Sequence, residues 1–198
     1  MSDADREKWE RRYAGRDHAP RAHPTHLLTD WLPRLHRPDG ARALDLACGA
    51  GRNAVYLAAE GYRVDAMDIS TVALERAAAR AREAGVEVNW IAVDLDAVEL
   101  PPDTYDLVVI SRYMNHGLTD ALVESLRDGA HLIYEQHLQT DREVDGPGSQ
   151  RFRLQPNELL RMFAGLRVLY YREGLMQDPD GPLMALAQLV ACKGSPGF

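Results

Sequence analysis

A chain of 198 residues, 45% hydrophobic and 27% charged, has ordinary globular usage, which excludes a disordered or fibrous protein. Its formal net charge of -7 would repel a phosphate backbone, so no nucleic-acid partner is expected. Two cysteines, Cys48 and Cys192, make no disulfide framework, the charged start MSDADREKWERRY is no signal peptide, and the apolar run Leu183 to Cys192 is too short to cross a bilayer; these features predict a cytoplasmic protein with no membrane anchor.

In chain order, residues 4–14 read as a short helix with Trp9 and Tyr13 four apart on one face. A Pro- and His-rich loop follows, in which His18, His23 and His26 have no spacing that defines a metal site. A second helix is predicted over 25–36, and Pro38-Asp39-Gly40 signals a turn. From there strands and helices alternate: strand 42–47, helix 52–60, strand 62–67, helix 71–84, strands 87–93 and 105–110, helix 118–127 and strand 130–135. Asp145 to Ser149 reads as a surface loop, followed by a helix near 156–163 and a hairpin of strands 166–172 and 184–192. Such alternation predicts a mostly parallel sheet covered on both faces. With no repeat and no linker, the chain reads as one domain, residues 1–36 forming a helical segment and residues 40–198 the α/β core.

The most informative segment is ALDLACGAGRNA, residues 43–54, where an apolar strand runs through Gly49-Ala50-Gly51 into a helix. Glycines there permit positive φ and let a ligand approach the backbone. Three acids flank it, Asp45, Asp68 and Asp94, each near the end of a predicted strand, and in a parallel sheet those positions share the edge at which ligands bind. On an adenosine ligand bearing an amino acid, Asp68 suits the ribose hydroxyls, Asp94 the adenine amino group, and Asp45 the ammonium and sulfonium charges. Each acid taken alone reads equally as a turn or helix-cap residue; it is their common register that points to a ligand.

The residues Asp45-Leu46-Ala47-Cys48-Gly49-Ala50-Gly51, Asp68-Ile69-Ser70, Asp94-Leu95-Asp96 and TYDLVVISRY at 104–113 resemble the class I S-adenosylmethionine-dependent methyltransferases. Within that class, GRNAVYLAAEGYRVDAMDIS and SRYMN are similar to the tellurite-resistance and thiopurine-type small-molecule enzymes. The resemblance implies a doubly wound, Rossmann-like, seven-stranded sheet of order 3-2-1-4-5-7-6 with strand 7 antiparallel. It also implies S-adenosylmethionine as methyl donor and S-adenosylhomocysteine as product, held by Tyr13, Asp45, Ala47, Gly49, Gly51, Asp68, Ile69, Asp94, Leu95, Ser111 and Tyr113. A rival reading is an NAD(P) enzyme, because Gly49 to Ala54 also satisfies G-x-G-x-x-A with an acid at Asp68. Against it, Lys8 and Lys193 are the only lysines and neither completes a Tyr-x-x-x-Lys pair, and a pyrophosphate gains nothing from Asp45.

Methyl transfer is an in-line displacement that needs alignment and a dry site more than a base. The acceptor is expected on the loops after strands 4 and 5, which carry Ser111, Arg112, Tyr113, Asn115 and His116, then Glu135, Gln136 and His137. His116 and His137 are the candidate bases, and Arg112, ahead of Arg151 and Arg153, is the candidate for orienting an anionic substrate. Trp31 and Trp90 read as core, Cys48 as a small residue in a crowded turn, and the first helix as a lid over the donor. A catalytically silent domain that only binds the donor is the other alternative. The expected partner is a small molecule, and the protein itself is expected to be a monomer or homodimer.

Overall fold

The structure is a computed structural model that describes residues 3–15 and 21–196. Its centre is one sheet of seven strands: β1 (Arg42–Leu46), β2 (Arg63–Asp68), β3 (Asn89–Ala92), β4 (Tyr105–Ser111), β5 (Leu126–His137), β6 (Arg167–Gln177) and β7 (Leu183–Cys192). The order is β3-β2-β1-β4-β5-β7-β6. Strands β1 to β5 pair in parallel, and β7 runs antiparallel to both β5 and β6, as the resemblance implied.

The helices are α1 (Asp3–Ala14), α2 (His26–Trp31), α3 (Arg52–Ala59), α4 (Thr71–Ala84), α5 (Thr119–Ser125) and α6 (Glu158–Met162). Strand β4 reads LVVI at its centre because both its faces are covered. Val108 and Ile110 pack with Leu122 of α5 and Leu159 of α6, while Leu107 and Val109 pack with Leu28 of α2 and Leu57 of α3. At roughly 1.5 to 3 kcal/mol for each fully buried Leu, Val or Ile, these two layers are the main stabilising term, and they pin the strand register.

Three elements differ from the sequence expectation. The second helix ends at Trp31 and tightens into a 3-10 turn, Leu32–Arg34, because Pro33 has no N–H for a continuing α-helix. Helix α5 stops at Ser125, and β5 starts one residue later, at Leu126, which pairs with Tyr105 of β4. Strand β6 continues past residue 172 to Gln177, since Arg172 to Gln177 pair with Leu183 to Gln188 of β7. That extension comes from a partner strand, so no local pattern announces it. Trp31 and Trp90 are half-buried, Trp31 resting against Tyr170 with ring centroids 5.4 Å apart. His18 lies outside the described residues.

Candidate functional site

After Leu46 the chain curls through three left-handed residues, Ala47 (φ 57°), Gly49 (φ 54°) and Gly51 (φ 76°), before entering α3. The two glycines serve different surroundings. A Cβ on Gly49 would strike the Tyr13 hydroxyl above it, whereas a Cβ on Gly51 would lie 2.7 Å from Ala77 Cβ and 2.8 Å from the Trp90 ring beneath. Gly51 therefore needs to be glycine for its packing on Ala77 and Trp90, and Gly49 for the approach of Tyr13.

Asp68, the last residue of β2, accepts hydrogen bonds from the Gly49 amide at 2.8 Å and the Ser70 amide at 2.9 Å. Burial raises its pKa while those amides lower it. Two of the four acceptor positions of a carboxylate are thus engaged, and two remain for a ligand. Asp45 is 1% exposed, and its Oδ2 has no hydrogen-bond partner among the described residues. Burial pushes its pKa up to about 7, opposed by the Arg52 guanidinium and the Ala54 amide at the start of α3. An unpartnered buried carboxylate oxygen under a glycine turn is a costly arrangement that a cationic ligand would relieve. Cys48 is buried beside both acids, and its thiol is pushed well up, the reverse of a nucleophile.

Asp94 sits in the turn after β3, where its Oδ1 accepts the Asp96 amide at 2.9 Å. It is not in the cavity wall; Asp96 is, and Asp96 accepts Asn115 Nδ2 at 2.8 Å. The Asp94 carboxylate thus caps its own loop through Oδ1.

Arg112 mirrors Ala47. It follows β4 directly, has φ of 61°, and lies across the gap between β1 and β4 where the chain's direction of winding reverses. Its Nη2 donates to Glu135 at 3.1 Å and to Asp178, whose other oxygen binds Arg21 Nη1 at 2.5 Å. Glu135 is held in turn by Gln188 Nε2 at 2.7 Å. Nη2 of Arg112 is therefore committed to protein carboxylates, while the buried Nε and Nη1 have no hydrogen-bond partner among the described residues. Arg52 Nη2 reaches Ser111 Oγ at 3.3 Å, and burial with the neighbouring Arg112 lowers its pKa to about 10.

The two histidines differ sharply. His137 is 7% exposed, and burial together with Arg112, Arg153 and Arg21 brings its pKa down to about 3, so it is a neutral imidazole and a weak base. Its Nδ1 has no partner. His116 is exposed at the cavity mouth, with Nε2 2.6 Å from Glu158 Oε1. Arg153 is spent on the Pro147 and Leu138 carbonyls at 3.0 and 3.1 Å, and Arg151 stacks over Phe152 on the surface.

These groups surround a cavity of about 970 Å³, at the upper end of the range for small-molecule sites. Its wall holds Tyr13, Asp45, Ala47, Gly49, Asp68, Ile69, Leu95, Ser111, Arg112, Tyr113, His116 and His137. Residues not anticipated from sequence are Glu10, Arg21, Arg52, Asp178 and Asp180. Arg52 was findable as the first helical residue after the glycine turn; the turn composition of Asp178-Pro179-Asp180-Gly181 was visible, but not where it lands. His23 pairs with Asp180 at 2.7 Å. Among the described residues no group of His, Cys, Asp and Glu is arranged for a metal, and no helix is long and apolar enough to cross a membrane.

The strand order is that of the methyltransferase Rossmann-like fold, and residues 43–133 match the family model described as a methyltransferase domain. Over 110 residues the chain is 31% identical to a ubiquinone biosynthesis O-methyltransferase of Burkholderia ambifaria, a match covering 52% of this chain and 47% of that protein. It thus spans about half the length of the curated relatives it matches. TehB from Haemophilus influenzae superposes with a TM-score of 0.69 at 22% identity, over 84% of this chain and 61% of TehB. A structure titled for the conversion of a disulfide bond into a thioacetal group during echinomycin biosynthesis gives 0.74 at 18% identity, over 98% of this chain and 94% of that one. Both structures establish a likeness of fold.

Proposed function

We propose that the chain transfers the methyl group of S-adenosylmethionine to a small-molecule acceptor. The observation that carries this reading is Asp45, a buried carboxylate oxygen without a partner in a turn that brings the backbone to the cavity. A sulfonium or ammonium group supplies the missing charge; a dinucleotide pyrophosphate would meet it with repulsion. Asp68 would take the ribose hydroxyls on its two remaining acceptor positions, with Ile69 and Leu95 as apolar walls for the base and Tyr13 closing over Gly49. The donor brings a methyl group on a sulfonium that leaves as a neutral thioether.

The protein's own work is alignment and exclusion of water. On the β4 and β5 side, Arg112, a cationic group in the cavity wall, would orient the acceptor. His137, neutral at physiological pH, positions the acceptor by hydrogen bonding and is not its base. His116, held by Glu158, is the side chain placed to receive a proton at the mouth where one must leave. The polar groups assembled on this side favour a catalyst over a silent donor-binding domain.

Calorimetry with S-adenosylmethionine, S-adenosylhomocysteine, NAD and NADP tests the donor. Heat is expected from the first two only, and tight NAD binding without an adenosylmethionine signal would overturn the reading. Release of S-adenosylhomocysteine in the presence of thiols, amines, phenols and oxyanions then identifies the acceptor.

A further inference from the structure

Helix α1 is joined to the core in an unusual way. Of its side chains from Asp5 to Ala14 none is buried, so no hydrophobic face anchors it, and a helix of 12 residues is marginal by itself. Glu10 makes a four-contact polar connection from this helix to the start of α4. Glu10 Oε1 accepts the Thr71 amide at 2.8 Å and the Thr71 hydroxyl at 3.0 Å; Oε2 accepts the Val72 amide at 3.2 Å and the Ser70 hydroxyl at 3.3 Å.

Thr71 and Val72 are the first two residues of α4, whose 14-residue length gives it a full N-terminal dipole. Ser70 is the N-cap, and its own Oγ accepts the Ala73 amide at 3.1 Å. An acid from another helix thus completes the cap that Ser70 begins, satisfying two amides that α4 cannot pair internally. The same turn contains Asp68, and one helical turn along α1 from Glu10 stands Tyr13, over Gly49. Trp9 and Tyr13 both face the cavity.

We infer that Glu10 is a positioning residue for the donor: its contact with the start of α4 holds α1 closed over the cavity and so sets how long S-adenosylmethionine or its product stays bound. This inference rests on the donor reading above. Glu10 touches no ligand itself and acts through Tyr13 and Trp9. Because the contact is a carboxylate on a helix terminus at half-exposed positions, it weakens with salt.

The test uses the full chain and two variants that break the contact from opposite sides. Glu10→Gln keeps the shape and removes the charge. Thr71→Pro removes the amide and hydroxyl donors; Pro is favoured at the first helical position, and Ser70, with φ -89° and ψ 113°, already has the extended backbone that precedes proline. Both variants are expected to remain folded, with the small loss of stability that weakening a helix cap brings, and to release S-adenosylhomocysteine about three- to tenfold faster in stopped-flow fluorescence, the range a helix cap provides. The KM for S-adenosylmethionine should rise with little loss of kcat. In the product complex, amides 3–15 should exchange faster while those of β1 do not. Wild-type release rates and protection of 3–15 in both variants would overturn the inference. Should the wild type bind no S-adenosylhomocysteine, the donor reading fails, and exchange of 3–15 in the ligand-free variants still decides whether Glu10 holds the helix.

Discussion

On the β1 to β3 side of the cleft, the groups that face the cavity are arranged by the backbone within a few residues of each strand end. The turn from Ala47 to Gly51, and Asp68 with its two amide hydrogen bonds, are local structures. On the β4 to β5 side the groups are held by partners far away in the chain: Arg112 by Asp178, Arg21 by the same Asp178, Glu135 by Gln188, His116 by Glu158. A local turn preserves one ligand geometry through sequence change. A network of distant side chains can be rewired pair by pair, which suits the half of a site that must recognise a particular acceptor.

The largest expected effect is on the distant network. Asp178 has a fully buried side chain shared by Arg112 and Arg21, and those guanidinium groups hold its pKa below the ordinary carboxylate value against the opposing effect of burial. Asp178→Ala should cost about 3 kcal/mol of unfolding free energy in a denaturant titration, because it removes a charged hydrogen-bond partner from two guanidinium groups at once, leaving Arg112 with Glu135 and Arg21 with Asp145. If the two sides are separate in their construction, the variant should still bind S-adenosylhomocysteine once folded; loss of both together would merge them.

Next in size is the local side. Asp68→Ala should weaken donor binding by about 1.5 to 3 kcal/mol, the scale of hydrogen bonds to a charged group, with the calorimetric signal for S-adenosylhomocysteine as readout. Asp68→Asn retains one carbonyl oxygen and should fall between that variant and the wild type. An unchanged affinity in a folded Asp68→Ala protein would remove Asp68 from the donor site.

The smallest effect is a pH dependence. Asp45 titrates near 7 when the site is free, mainly through burial, so it holds a proton below that pH where the unfolded chain's carboxylate does not. Its contribution to stability therefore declines as pH rises from about 4 to about 7 and is level above. Donor binding has the opposite sign: a cation favours the ionised acid, so affinity should drop by up to about tenfold per pH unit below 7 and be constant above about 8. Asp45→Asn should flatten that dependence in calorimetry from pH 5.5 to about 8.5; a wild type already flat over this range would disconnect Asp45 from the donor's charge.

The same contrast explains what was legible in the sequence. The sheet order and the glycine turn follow from periodicity, strand-end acids and a family resemblance, and the Asp45 and Asp68 positions come with them. For Gly51 and Asp94, spacing identifies a turn residue without saying whether it faces a ligand or the structure beneath. Arg112 and His137 were picked out by type and position, yet their states come from residues elsewhere in the chain, namely Asp178 and Glu135 for Arg112, and burial with Arg112, Arg153 and Arg21 for His137. Glu10 carries no local signature at all, since an acid in a polar helix reads as a solvated surface until α4 is seen beside it.

The turn between β6 and β7 closes on itself through Asp178 N to Pro182 O at 2.9 Å and Gly181 N to Asp178 O at 2.9 Å. From that self-contained loop, Asp178 reaches Arg112 and Arg21, and Asp180 reaches His23 and the Ala22 amide. It therefore behaves as a cassette that sets the counter-ions of four basic side chains, Arg112 and Arg21 through Asp178 and His23 and Arg52 through Asp180. With Asp178 kept for stability, a library confined to residues 179–182 would change the charge beside the cavity while leaving the strand pairing as it is.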